Sequence, residues 1–406
     1  MKGSITKSVA ALFTLLGVLF IPFPFNITTL QLQVTDFIFG KLIGITAKVL
    51  FGKALSNTTI YSDSISMYIL LLILFAVAVI IVLILSSIKK WQLYSEKIFR
   101  ILYQLFIYYL ALQLLKYGAD KIFKNQFYTP EPNTLYTPMG QLQKDILYWS
   151  TMGTSYTYNI FLGSLEILGG VLILIKRTRL IGLLLSSGIL VNVVAVNFSF
   201  DISVKLYSSF LLFLDIYLLH PFGKRLYQLL LQKNITALPA TGQTTVFKKT
   251  FAIAFLQWLA IGLIVLEVFY PFVMAGNFNG DKTPRPYLHG AYEVRNIIEG
   301  KDTLASSLSP VKRFFIHRGS YIIFQDQGDI MKDYKLSYDK ADTTLTITDY
   351  EFKQTVLSYT YQTADSILTL EYLTNDKPIK LIGKAINWRK LPALQKNFHW
   401  TMDGMQ

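Results

Sequence analysis

The sequence contains no cysteine, which excludes disulfides, thiolate metal sites, iron–sulfur ligation and cysteine nucleophiles in one step. Histidine is nearly as scarce. Of the four present, none lies inside an apolar run: His220 sits at an edge, and His289, His317 and His399 lie outside, so haem and copper sites are not supported. His317, His399 and Asp403 are too scattered to constitute a triad or a metal site. No glycine-rich strand-to-helix phosphate loop occurs, because Gly169 and Gly170 fall within an apolar run. Acidic residues are few as well, 25 against 39 Lys and Arg, for a net charge of +14. Residues 1–275 hold 22 Lys and Arg against 10 Asp and Glu, and residues 276–406 hold 17 against 15. The basic excess therefore lies in short loops between apolar segments, as membrane topology requires, and nucleic-acid binding is not expected.

What the chain has in excess is apolar surface: 52% apolar residues, 15% aromatic and a mean hydropathy of +0.40, more than a soluble chain of average make-up. A hydrocarbon core of about 30 Å needs roughly 20 apolar residues as helix. That rule selects about seven spans, near Val9–Phe25, Met67–Ile88, Phe99–Tyr117, Tyr158–Ile175, Leu180–Phe198, Leu206–Leu219 and Thr250–Phe272. The first follows Lys2 and Lys7 like a signal peptide, but no small-residue cleavage pattern follows it, and it is expected to be a retained anchor. Thr28–Phe51 is apolar but interrupted by Gln31, Gln33, Asp36, Lys41 and Lys48, which predicts an amphipathic helix on the outer surface. With the N-terminus in the cytoplasm, 14 of the 22 basic residues fall in cytoplasmic loops. Seven crossings then leave the C-terminal region outside.

After Pro284 and Pro286 the hydrophobic period changes to two: Leu345 and Ile347 between threonines, then Leu368, Leu370 and Tyr372, then Ile379, Leu381 and Gly383. Turn clusters at 325–329, 339–342 and 374–376 separate these stretches, predicting an antiparallel meander or small barrel-like sheet. YDKADTTLTI and YQTADSILTL resemble one another, which we read as shared turn chemistry. The expected divisions are 1–98, N-terminal membrane helices with a surface segment; 99–220, a four-helix membrane core; 221–275, a cytoplasmic loop and last membrane helix; and 276–406, an outer β-rich domain. The loop from Lys124 to Ser155 is long for a helix hairpin and rich in Pro and aromatic residues, as a lid or interfacial belt would be.

Ionisable residues inside apolar spans are costly and mark functional sites. Glu166 stands about 12 Å into its span at 1.5 Å per residue, with Gly163 and Gly170 on the same helix face. That face is expected to meet another helix. Tyr109, Gln113, Lys116 and Asp120 form one polar stripe on the preceding span. On the following spans come Asn192, Asn197 and Asp201, then Lys205, Ser208 and Asp215. The expectation is an outward-opening pocket lined by Lys116, Glu166, Asn192 and Asp215, with Lys116 neutralising one carboxylate; the alternative is a buried polar network that fixes helix packing. Asp120, Lys121, Asn197 and Asp201 complete the ligand-binding candidates.

YGADKIF at 117–123 followed by SLEILGGVLILIKRTRLIGLLL at 164–185 resembles the core of the DoxX family of small bacterial membrane proteins. Gly118 and Lys121 match the family's Gly-x-x-Lys. Glu166, Gly169 and Gly170 match its glutamate before a glycine pair, and Arg177 or Arg179 its arginine. The stretches KNQF, YWSTMG, NVVAVNFSFDISVK and FHWTMDG are similar to longer DoxX-like proteins with extra helices and a C-terminal domain. The resemblance implies a DoxX-like four-helix bundle in a bacterial inner membrane, and an accessory role in a quinone-linked redox system or the binding of a lipophilic ligand. Glu166 and Lys116 would then be its hydrogen-bonding groups, with Tyr117 and Trp149 nearer the mouth. No cofactor is evident from the residues themselves; a quinone would have to carry any electrons. The alternatives are a non-catalytic anchor that displays the outer domain to an envelope or redox partner, and a lipid or small-solute transporter. No inverted repeat or matched pair of broken helices favours transport.

Overall fold

The computed structural model describes all residues except 1–4, 24–25, 53–58, 233–250, 301, 306–308, 340–341, 375–376, 396–399 and 402–406. Lys2, Pro24, Lys233, Lys248, Lys249, His399, Asp403 and the centres of the turns at 339–342 and 374–376 lie outside the described residues. In chain order the helices are α1 (Ile5–Phe20), α2 (Thr28–Phe51), α3 (Ile65–Ser86), α4 (Lys89–Ile122), α5 (Pro132–Leu135), α6 (Lys144–Thr154), α7 (Tyr156–Leu174), α8 (Arg179–Ser199), α9 (Lys205–Leu219), α10 (Gly223–Leu230) and α11 (Phe251–Met274). Two compact units form: Met1–Gln126 with Tyr156–Gly280, and Phe127–Ser155 with Asp281–Gln406.

In the helical unit, six helices are long and apolar enough to cross a membrane, counted among the described residues. This fits a multi-pass membrane protein. The seventh expected span, α1, is a shorter apolar helix of 16 residues, about 24 Å at 1.5 Å per residue. Large apolar side chains face outward along the spans, among them Leu72, Ile80, Ile181, Trp258 and Leu266, a surface that requires an apolar solvent. α4 packs on α7, α7 on α8, α8 on α9, and α9 returns to α4; α1 and α3 lie beside this ring, and α11 rests on α4.

The α4–α7 contact is close because both helices present glycine. A Cβ on Gly118 would stand 2.7 Å from the Gly163 carbonyl oxygen, and one on Gly163 would stand 2.5 Å from that of Gly118. α2 forms as a helix, but its polar residues do not all face water. Gln31 Nε2 donates to the Leu19 and Ile21 carbonyls (3.1 and 3.0 Å) and Thr35 Oγ1 to that of Phe20 (3.2 Å). They satisfy the C-terminal end of α1, while Phe37, Ile45 and Val49 are exposed.

The second unit contains nine strands: β1 (Gly290–Glu299), β2 (Asp302–Ala305), β3 (Arg313–His317), β4 (Tyr321–Gln325), β5 (Met331–Asp339), β6 (Thr344–Thr348), β7 (Gln354–Gln362), β8 (Ile367–Thr374) and β9 (Lys377–Ile386). All neighbours are antiparallel, and β1 pairs with β9, closing β1 and β3–β9 into an eight-strand barrel. A bulge between Val294 and Asn296 bends β1, so that its first half pairs with β3 and its second with β2. The interior is filled by the period-two residues, Leu345, Leu368, Leu370 and Leu381 among them. Gly383 is required there because a Cβ would lie 2.4 Å from the ring of Phe314, which stacks on Tyr292 at 4.9 Å. The two similar decapeptides form the β5–β6 and β7–β8 hairpins. Their matching residues Thr343 and Ser366 both take left-handed φ, +51° and +56°, which is the shared turn chemistry.

The units cut across the linear division. Phe127–Ser155, between two membrane spans in sequence, folds with the barrel. Tyr136 stacks on Phe315 at 5.9 Å, and Ala291, Phe315 and Ile323 on the outer barrel face pack with Leu135, Trp388 and Leu391. β3 and β4 are consequently apolar on both faces, and this is why their sequences, RFFIH and YIIFQ, scarcely alternate.

Candidate functional site

The buried polar groups of the helical unit sort into separate sets rather than one volume. Lys121 Nζ bonds both oxygens of Glu166, at 2.9 and 2.8 Å, with both residues buried. The pair exists because Gly118 and Gly163 bring α4 and α7 together one turn away. Lys121 also lies over the ring of Tyr117, 5.5 Å from its centroid. Ring contacts continue from there: Tyr117 meets Phe23 at 5.7 Å, Phe23 stacks on Tyr207 at 4.9 Å, and the Tyr207 and Tyr109 hydroxyls bond at 2.9 Å.

Gln113 stands on this side of α4, one turn from Tyr109 and one from Tyr117. It is fully buried, and neither its Nε2 nor its Oε1 has a hydrogen-bond partner among the described residues. An unsatisfied buried donor or acceptor costs about 1–3 kcal/mol, so an amide with both left open is a marked exception to native practice.

Lys116 does not pair with Glu166. Its Nζ lies 3.2 Å from Oε1 of Glu267 on α11, which also accepts from the backbone N–H of Asn26 at 2.8 Å and from Asn26 Nδ2 at 2.9 Å. Glu267 was not among the candidate residues, although the signal that selected Glu166, an acid inside an apolar span, applies to it equally. Asp215 accepts from Ser186 Oγ at 2.7 Å and from Ser187 Oγ, joining α8 to α9. Asn197 Nδ2 donates to Ser208 Oγ at 3.0 Å.

Asp120 accepts from Asn125 Nδ2 at 3.0 Å. Asp201 is exposed at the turn before α9 and pairs with Lys205 at 2.7 Å. Asn192 is exposed: at about 100° per residue it stands roughly 140° from the buried face carrying Leu183, Ser186, Leu190 and Asn197. It joins neither Glu166 nor Asp215. Trp149 belongs to the second unit, where it meets Phe127 at 5.0 Å. Asp63, also absent from the candidates, accepts from the N–H groups of Lys205 (2.9 Å) and Leu206 (3.0 Å) and so caps α9.

The second unit holds its own buried cluster. Glu131 accepts from His289 Nε2 at 2.7 Å and from the Arg318 N–H at 3.1 Å, with Arg285 Nη1 at 3.8 Å. Burial raises its affinity for a proton, but His289, the Arg318 amide and His317 outweigh this and hold it below the ordinary carboxylate range. Burial pushes His317 down, against the attraction of Glu131. No group of three or more metal-ligating side chains occurs among the described residues.

No protein-family model and no solved structure matches the chain. A curated protein does: 35% identity over 113 residues to "Uncharacterized protein YwoB" of Bacillus subtilis (strain 168), a match that spans 27% of this chain and 70% of that protein. The chain belongs to the family of YwoB. This membership extends to somewhat over a quarter of the chain, and the relative's name assigns it no activity.

Proposed function

We propose that the helical unit is a DoxX-like membrane bundle that binds a lipophilic molecule with a polar head, of the quinone class, beside Gln113. The observation that carries this reading is the buried amide of Gln113, which offers a donor and an acceptor to no group of the described chain. The surrounding chemistry fits such a head: aromatic faces from Phe23, Tyr117 and Tyr207 and the buried Lys121–Glu166 pair. A quinone, when bound, supplies reversible electron and proton transfer that these side chains lack. The chain's own part is to position: the Gln113 amide would donate to a carbonyl, the rings would exclude water, and Glu166 would fix Lys121 at the edge of the aromatic row.

The resemblance of residues 99–220 to the DoxX family supports an accessory role to a redox partner. We place the protein in the inner membrane with its C-terminus outside, on the distribution of Lys and Arg; a reporter fused after Gln406 should be active only outside the cytoplasm. Non-catalytic display of the outer domain is the second reading, favoured by a barrel that fills a separate unit.

Mass spectrometry of isoprenoid lipids that co-purify with wild type and with Gln113→Leu tests the proposal. A quinone retained by wild type and lost from the variant at equal folded yield supports it. Equal retention by both, or none by either, contradicts it.

A further inference from the structure

We propose that the outer wall of the barrel over β4–β7 is a binding site for a neutral oligosaccharide. The site lies wholly within the second unit and does not rest on the membrane reading above. Tyr321 is registered opposite Lys335, Lys335 opposite Thr348, and Thr348 opposite Gln354. These four side chains make one outward-facing row across four strands, roughly 14 Å long at the usual strand spacing. Asp333 and Ser337 flank Lys335 on the same face of β5, since alternate residues share a face.

The β6–β7 turn builds the wall. Asp349 Oδ1 accepts from the N–H groups of Glu351 and Lys353, both at 2.9 Å, and the Tyr350 hydroxyl donates to Asp333. This holds Phe352 at φ +64°, a conformation that bulky residues rarely adopt and that tends to persist at sites of function. The cost leaves Phe352 87% exposed and Tyr350 78% exposed. Row and turn enclose a cleft of about 500 Å³ whose lining includes Tyr321, Asp333, Lys335, Thr348, Tyr350 and Phe352.

The lining selects the ligand class. Aromatic faces alternate with carboxylate, ammonium, hydroxyl and carboxamide groups, so apolar faces and both hydrogen-bonding senses are offered at close spacing. A sugar ring has that same combination of a C–H face and a hydroxyl edge. Asp333, Asp349 and Lys335 mix the two signs, which does not suit a phosphate or a polycation. Each of β4–β7 has both neighbours in the closed sheet, so a peptide finds no free edge to extend. The adjoining outer face is different: there Ala291, Phe315 and Ile323 are packed with Leu135, Tyr136 and Trp388.

The test is calorimetric titration of the full-length protein in detergent with chitotetraose, cellotetraose and maltotetraose. Saturable binding of at least one is expected, weakened about tenfold or more by Tyr350→Ala and by Phe352→Gly. Glycine accepts the positive φ without strain, so Phe352→Gly should fold at least as well as wild type and its loss of binding cannot be ascribed to unfolding. Absence of binding by all three sugars, or binding that neither substitution weakens, overturns the proposal. Binding to phosphatidylglycerol vesicles that Phe352→Gly abolishes, without sugar binding, would assign the aromatic turn to a lipid surface and overturn it equally.

Discussion

The two units of this chain use polar side chains in opposite directions. In the barrel, alternation sends Leu345, Leu357 and Leu368 inward and Lys335, Thr348 and Gln354 outward. In the helical unit the outside is apolar, and the polar groups are turned in and closed upon one another: Lys121 on Glu166, Asp215 on two serines, Asn197 on Ser208. What faces outward is set by the surrounding solvent, while what is tolerated inside is set by whether a partner is within reach. Among the described residues Gln113 breaks this rule with both atoms of its amide.

The largest effect should come from breaking an inward pair. Glu166→Gln leaves Lys121 buried without a counter-charge, and thermal unfolding in detergent should show a loss of about 3–5 kcal/mol. Replacing both residues with Met should recover most of it; a double variant as unstable as the single one would mean that the pair is not the unit of stability. In the barrel the corresponding weak point is steric. Gly383→Ala forces a methyl onto Phe314 and should cost about 1–3 kcal/mol, visible as faster amide exchange in β1, β8 and β9 with the helices unchanged. Asp63→Ala should cost about 1 kcal/mol, confined to exchange at the start of α9.

Acid is the mildest perturbation, and it should act on the barrel unit. Glu131 has its folded value held below 4.5, so the stability it contributes is present above that value and is lost as pH falls through the folded one. His317 is pushed below 6.5. The unfolded chain then takes up a proton that the folded one refuses, and stability falls as pH drops from 6.5 to the folded value. Glu131→Gln should remove the lower window and keep the upper; unchanged acid unfolding in that variant would place the sensitivity elsewhere.

Hydropathy and period were enough to anticipate the apolar helices and the half-buried strands, because both follow from local repetition. Gly163, Glu166 and Gly170 show how far this reaches: spacing alone puts them on one face. Spacing does not choose a partner. Lys116 and Glu267 are 151 residues apart, and whether Lys116 meets Glu166 or Glu267 depends on which helices become neighbours. The same limit hid the role of Gln31, which looks like a surface residue in sequence but bonds the end of α1. It also hid the place of residues 127–155, whose Glu131 finds His289 158 residues away. Asn192 is a different case. The helical rise gives its depth, but its direction depends on which face of α8 is buried, and that helix carries apolar residues on its buried and exposed faces alike.

On the proposed function, the open amide of Gln113 is a binding group and not a packing element. The direct measurement is the thermal stability of wild type and Gln113→Leu in detergent, each with and without a short-chain quinone. A leucine of similar size removes two unsatisfied atoms, so the ligand-free variant should be at least as stable as wild type, and only wild type should gain stability when the quinone is added. A variant that is less stable than wild type, or a quinone that raises both melting temperatures equally, would make Gln113 a packing residue and not a binding group.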